Sequence, residues 1–181
     1  MNEVDFIRLQ VLTEQQHARQ VFEWCRARAG SMTDAGAFDE NIYYFIKRCI
    51  EYLTVFMRRE AARSRAHSAT LRVRTGGSEP AEPAELSAVL VRLDAAADTA
   101  SCLTRRLDGL TRAAALDSGA LEQELRLVGQ HLSVQFELSE RLRELADGHY
   151  SIADWRRIGG LDADGILEER RCYRELDGQR A

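Results

Sequence analysis

The chain has 181 residues, 45% of them hydrophobic and 30% charged, and its 25 basic and 29 acidic side chains leave a net charge of −4. That length suits one compact domain with a short appendage, and the apolar content lies well above the disordered regime. With 24 Ala and 21 Leu against 9 Val and 7 Ile, and only 2 Pro, the composition favours helix and excludes a sandwich, a barrel or a doubly wound sheet.

Residues 3–28 read as a first helix. Val4, Ile7, Val11, Ala18, Val21 and Cys25 recur at helical spacing, and Phe6, Leu9, Phe22 and Trp24 widen the stripe. The run from Ala29 to Gly36, with its two glycines, predicts a break. Asp39 signals a second start, with Phe38 placed to staple onto Tyr43. The second helix, 40–73, has the strongest pattern: Ile42, Phe45, Ile46, Cys49, Ile50, Leu53, Phe56, Met57 and Ala61, flanked by Tyr43, Tyr52 and Val55. So wide an apolar face predicts two or three neighbours and a central position. Both prolines and a Gly pair fall in 75–83, which reads as a linker, and Pro83 suits the first turn of a third helix. That helix, 84–116, carries Leu86, Val89, Leu90, Leu93, Ala97, Ala100, Leu103, Leu107, Leu110 and Ala114, and its small-residue middle (Ala95–Ala97, Ala100) admits a close neighbour. Asp117-Ser118-Gly119 breaks and recaps the chain.

The fourth helix, 120–147, sets Leu121, Leu125, Val128, Leu132, Gln135, Ser139, Leu142 and Ala146 on one seam and Leu127, Val134, Leu138 and Leu145 on another. Ser151-Ile152-Ala153-Asp154 reads as a capping box for a short helix ending at Gly159-Gly160, and 163–177 as a last helix with Ile166, Leu167, Tyr173 and Leu176 inward. Together these elements predict an all-α fold. It is an elongated up-down four-helix bundle over 1–147, built of two long antiparallel hairpins joined at 75–83, with short C-terminal helices over 148–181 as an appendage.

An acidic start, Met1-Asn2-Glu3-Val4-Asp5, predicts no signal peptide, and the longest apolar stretch, Tyr52 to Met57, is too short for a membrane span. Four cysteines (Cys25, Cys49, Cys102, Cys172) fall one per predicted helix with no CxxC, so buried, reduced thiols and a cytoplasmic location are expected.

Chemistry-bearing motifs are few. No Gly-x-Ser-x-Gly elbow, P-loop or Gly-x-Gly-x-x-Gly run occurs. Glu14-Gln15-Gln16-His17 is the one Glu-x-x-His tetrapeptide, whereas a di-metal bundle needs two, so no metal and no cofactor are expected. Asp162-Ala163-Asp164-Gly165 lacks the bidentate acid that ends a calcium loop, Tyr173 standing in its place, and the aspartates read as a helix cap. His131 reads as a histidine at the boundary of a bundle face. Arg143 and His149 stand six positions apart in Arg143-Glu144-Leu145-Ala146-Asp147-Gly148-His149. This stretch is similar to the Arg-x(4–6)-His motif of HEPN-family helical bundles, many of them metal-independent ribonucleases. The resemblance implies His149 as acid–base for a 2′-hydroxyl and Arg143 as support for the phosphate, paired across a dimer interface. It departs from the family where Glu144 replaces the usual Asn or Asp and where Gly148 sets His149 beyond the helix end.

Between Lys47 and Arg74, eight basic residues meet two acidic ones, while 117–147 holds seven acids and three arginines. These opposite signs predict that the second helix faces the fourth through surface ion pairs. Arg58, Arg59, Arg63 and Arg65, with Tyr44 exposed opposite the core stripe, form the candidate surface for a partner. The leading reading is a non-enzymatic interaction protein (adaptor, chaperone or regulatory subunit) that forms a homodimer or higher oligomer through its second or fourth helix, with nothing inside it arranged for bond-making. The alternatives are a HEPN-like ribonuclease using Arg143 and His149, and binding of RNA or another anionic partner by the basic end of the second helix.

Overall fold

In a computed structural model, which describes residues 2–34, 40–75, 84–112, 117–159 and 163–180, helix starts follow the short polar residues of the sequence. The Asp5 amide donates to Asn2 Oδ1 at 2.8 Å and the Asn2 amide to Asp5 Oδ2 at 3.3 Å, opening α1 (Glu3–Asp34). Asp117 Oδ1 accepts from the amides of Gly119 and Ala120 at 2.9 and 3.3 Å, opening α4 (Ser118–Ala146). Ser151 and Asp154 form the expected reciprocal box, 3.0 and 3.2 Å, at the head of α5 (Ile152–Gly159). The remaining helices are α2 (Glu40–Thr75), α3 (Ala84–Arg112) and α6 (Ala163–Gln179), and a 3₁₀ turn, Asp147–His149, follows α4. The protein is all-helical, with no strand among the described residues. No helix is long and apolar enough to cross a membrane.

One boundary differs from expectation. α1 does not break at Ala29 but continues through Gly30 to Asp34. Cys25 and Ala29 are buried, Ser31 Oγ donates back to the Arg28 carbonyl at 2.7 Å, and an open-sided Gly costs only about 1 kcal/mol in a helix. The Phe38–Tyr43 staple, Asp39, Ala114, the Asp162 cap and the 76–83 part of the linker lie outside the described residues.

The four long helices, roughly 44 to 54 Å each at 1.5 Å per residue, touch in a closed order: α1 on α2, α2 on α3, α3 on α4, and α4 on α1. Arg58, Arg65 and Arg72 of α2 pair with Asp108, Asp98 and Asp94 of α3, so partner numbers fall as numbers rise and these two helices run antiparallel. Glu85, Arg92 and Arg106 of α3 pair in the same reversed order with Arg141, Glu137 and Glu124 of α4. The expected pairing of α2 with α4 is therefore corrected. Their surface charges pair instead with α3, which turns its aspartates to α2 and two arginines to α4. Gross charge of the two helices could not reveal this, because the signs are segregated by face. In the small-residue middle of α3, Ala96, Ala97 and Ala100 are buried, whereas Ala95 is exposed.

α5 and α6 rest on α1 and α2. Leu176 enters the core, but Leu167 is 60% exposed, and Glu169, about 200° further round the helix, is buried instead. Phe6 and Leu9, expected to widen the α1 stripe, are also exposed. Of the four free thiols, Cys25 and Cys49 are buried against each other across α1 and α2, Cys172 is half-buried and Cys102 is exposed.

Close approach of α1 and α4 depends on Gly129. A Cβ there would stand 2.7 Å from Phe22 Cζ. Gly129→Ala is expected to destabilise by about 1–3 kcal/mol in urea unfolding, and a Phe22→Ala background should remove most of that cost.

Candidate functional site

The interior is not one apolar seam. One cluster joins residues from Ala18 to Cys25, Phe45 to Ala61, Ala97 to Leu107 and Leu121 to Phe136, with Leu176; a second joins Leu71, Leu86 to Ala96, Leu138 and Leu142. Between them the helices turn polar groups inward: Glu14 and Gln15 from α1, Glu60, Arg63 and Ser64 from α2, and His131 and Gln135 from α4, all buried. Glu14 occupies the slot between Val11 and Ala18 in the apolar stripe of α1, which aims its carboxylate into the protein with no accessible surface.

Arg63 holds this layer together. Its Nη2 donates to Glu14 Oε2 at 2.6 Å, its Nη1 to Glu60 Oε1 at 2.5 Å, and its Nε to the Gly159 carbonyl at 3.1 Å, so one guanidinium ties α1, α2 and α5. Gln15 Nε2 donates to the second Glu60 oxygen at 3.4 Å, and Arg59 Nη1 lies 3.8 Å from Glu14 Oε1. Burial pushes the Glu14 carboxyl up, with Arg63 and Arg59 opposing. Burial also works against the Arg63 cation, but the two carboxylates outweigh it and raise its affinity for the proton.

A third buried carboxylate lies under α6. Glu169 Oε1 accepts from the Tyr52 hydroxyl at 2.5 Å and lies 2.8 Å from His17 Nδ1. Burial alone would raise its pKa, yet these two bonds hold it below the usual carboxylate range. The His17 ring stacks on Tyr173 at 3.7 Å between centroids.

Beside Arg63 is a cavity of about 50 Å³, walled by Gln15, Glu60, Ser64, Gln135, His67 and Tyr150 on its polar side and by Leu93, Leu142, Trp155 and Ile158 on its apolar side. His67 Nδ1 and the Tyr150 hydroxyl share a hydrogen bond of 2.8 Å. Burial first, and then the Arg63 charge, lower the His67 pKa to about 4, so the ring is neutral at pH 7. Burial pushes the Tyr150 phenol up. Gln135 Nε2 donates to Ser64 Oγ at 2.9 Å.

The residues singled out from sequence fall in different places. Arg143 is exposed but lines the mouth of this cavity, whereas His149 is exposed on the 3₁₀ turn, and no hydrogen bond or ion pair joins the two. Arg58 and Arg65 pair with α3, Arg59 is half-buried beside Glu14, and Arg63 is interior, so these four do not make one surface. Tyr44 is 54% exposed, edge-on to Tyr43. Glu14 and His17 of the Glu-x-x-His tetrapeptide turn to Arg63 and Glu169, and no group of three or more His, Cys, Asp or Glu among the described residues is placed to hold a metal. Glu60, His67, Tyr150 and Glu169 were not anticipated. Their signal was polar side chains standing in slots of the apolar period, as Gln135 and Ser139 do on α4. These features define an all-helical protein with a buried ionic centre. No known family model, curated protein or solved structure matches the chain.

Removing the cation leaves two buried carboxylates uncompensated. Arg63→Met is expected to cost about 3–5 kcal/mol in urea unfolding, and the triple variant Glu14→Gln, Glu60→Gln, Arg63→Met to regain most of that. His67 imposes a pH window. Because its folded pKa lies below the unfolded value, its contribution is present above pH 6.5 and is lost as pH falls from there towards 4. His67→Gln should flatten the stability profile across that interval, as read by denaturation at a series of pH values.

Proposed function

We propose that this chain is an up-down four-helix bundle over 1–147 with 148–181 docked as a C-terminal appendage, and that it is a cytoplasmic, non-enzymatic module acting through protein–protein contacts. The closed order of helix contacts and the reversed ion-pair numbering support the bundle. Four free thiols fit a reducing compartment. The engagement of Arg63 by two carboxylates and a carbonyl supports a structural centre rather than a reacting one.

The observation that carries the reading is apolar surface left outside. Phe6 and Leu9 of α1 and Leu167 of α6 are 43%, 52% and 60% exposed, and Phe6 and Leu167 flank a groove of about 490 Å³ whose floor includes Ile7 and Ile166. Its rim carries the Glu3–Arg156 ion pair, which offers both signs of charge, so a copy related by a twofold axis can set each against its opposite. The occupant proposed is a second copy of this chain, through α1 and α6 rather than through α2 or α4. Sedimentation over a wide concentration range is expected to give a dimer for the natural sequence and a monomer for Leu167→Glu. A natural sequence that stays monomeric throughout overturns the reading. The HEPN-like alternative rests on one observation, that Arg143 and His149 are both exposed and unpaired among the described residues and so are open to pairing across two copies. RNA cleavage lost in Arg143→Ala, His149→Ala would establish it.

A further inference from the structure

The cavity beside Arg63 is lined by more cations than anions, with Arg8, Arg63 and Arg143 against Glu60. Its one wall carboxylate, Glu60, has both oxygens engaged, by Arg63 and by Gln15. Its donors are not all engaged. Arg143, at the mouth, makes no ion pair with any described residue, and the Ser64 hydroxyl accepts from Gln135 while its own proton meets no acceptor among the described residues. The neutral His67 ring and the Tyr150 hydroxyl own one donor each and spend one on their mutual bond, so whichever tautomer the ring adopts, one donor remains. The Arg143 guanidinium and two hydroxyl or ring donors therefore line, together with Arg8 and Arg63, a space with no free carboxylate.

We infer that this cavity is a binding site for a small oxoanion, a carboxylate or a phosphate, gripped by Arg143 at the mouth and by Ser64 and the His67–Tyr150 pair at the wall. The size agrees. At roughly 10–15 Å³ per water-sized group, about 50 Å³ accommodates three to five such groups, which is the range from acetate to phosphate. Arginine's planar fork matches two oxygens of either anion, and the apolar wall of Leu142, Trp155 and Ile158 limits the screening of that contact. His67 stays uncharged near neutrality, so binding of a permanent anion there does not depend on histidine protonation. Of the lining residues only Val11 also lines the α1–α6 groove, none of the four residues that grip the anion does, and the test is independent of self-association.

The test is thermal unfolding of the full chain at constant ionic strength, with chloride replaced stepwise by acetate in one series and by inorganic phosphate in another. A saturable rise in Tm of several degrees is expected for at least one anion, because a ligand that binds only the folded state stabilises it by mass action. Arg143→Gln, an exposed position, should fold normally and lose the rise. Tyr150→Phe should weaken it, and Arg58→Gln, remote from the cavity, should keep it. A rise with acetate alone, phosphate alone or both tells which head group fits. An equal rise in Arg143→Gln marks a general salt effect and overturns the proposal, as does the absence of any rise in the natural sequence.

Discussion

The way the helices fit together is set by one buried guanidinium shared between two buried carboxylates. Separating ions from water is costly, and mutual attraction offsets that cost only when geometry is good and the remaining donors are satisfied. Arg63 meets both conditions, through Glu14, Glu60 and the Gly159 carbonyl. Apolar surfaces tolerate sliding, because one leucine packs much like another a turn away. This centre does not: moving α1 by a turn against α2 would break the Glu14–Arg63 bond and leave Arg63 with only the carboxylate of its own helix, Glu60. The register of α1 on α2, and the seat of α5 on both, follow from that intolerance.

The outer elements are arranged around the same layer. α3 turns Asp94, Asp98 and Asp108 towards arginines of α2, and Arg92, Arg106 and Glu85 towards opposite charges of α4, so each neighbour is matched by sign as well as by shape. Such exposed pairs contribute little each, about 0–1 kcal/mol, and their weight lies in making other neighbour orders unfavourable. α6 brings a single fully buried leucine, Leu176, and is held mainly by polar anchors: Glu169 on Tyr52 and His17, Arg170 on Gln10, and Glu175 on Arg48. A helix attached in this way is fixed in position and angle without a large apolar interface.

Helices, their order and most of their limits were legible because the apolar period of this chain is long and little interrupted, and because Asp117 and the Ser151–Asp154 pair cap in the way their chemistry dictates. The end of α1 was not legible, since two glycines outweigh local propensity on paper while buried Cys25 and Ala29 outweigh Gly30 in three dimensions. The buried centre was hidden for a different reason. A single polar residue in an apolar stripe, such as Glu14, reads as a gap until a second helix supplies the complement, and Arg63 sits in a run whose gross positive charge suggested a surface. Glu169 and Leu167 exchanged expected roles on the same logic, because a carboxylate with two waiting donors outcompetes an unpaired leucine for an inward slot.

Cys25 and Cys49, shut away against each other between α1 and α2, give the chain an internal clock. A thiol-modifying reagent would mark Cys102 at once, whereas it would reach the buried couple only when the first two helices part. The delay between the two events would measure how often that seam opens, without any probe having to be introduced.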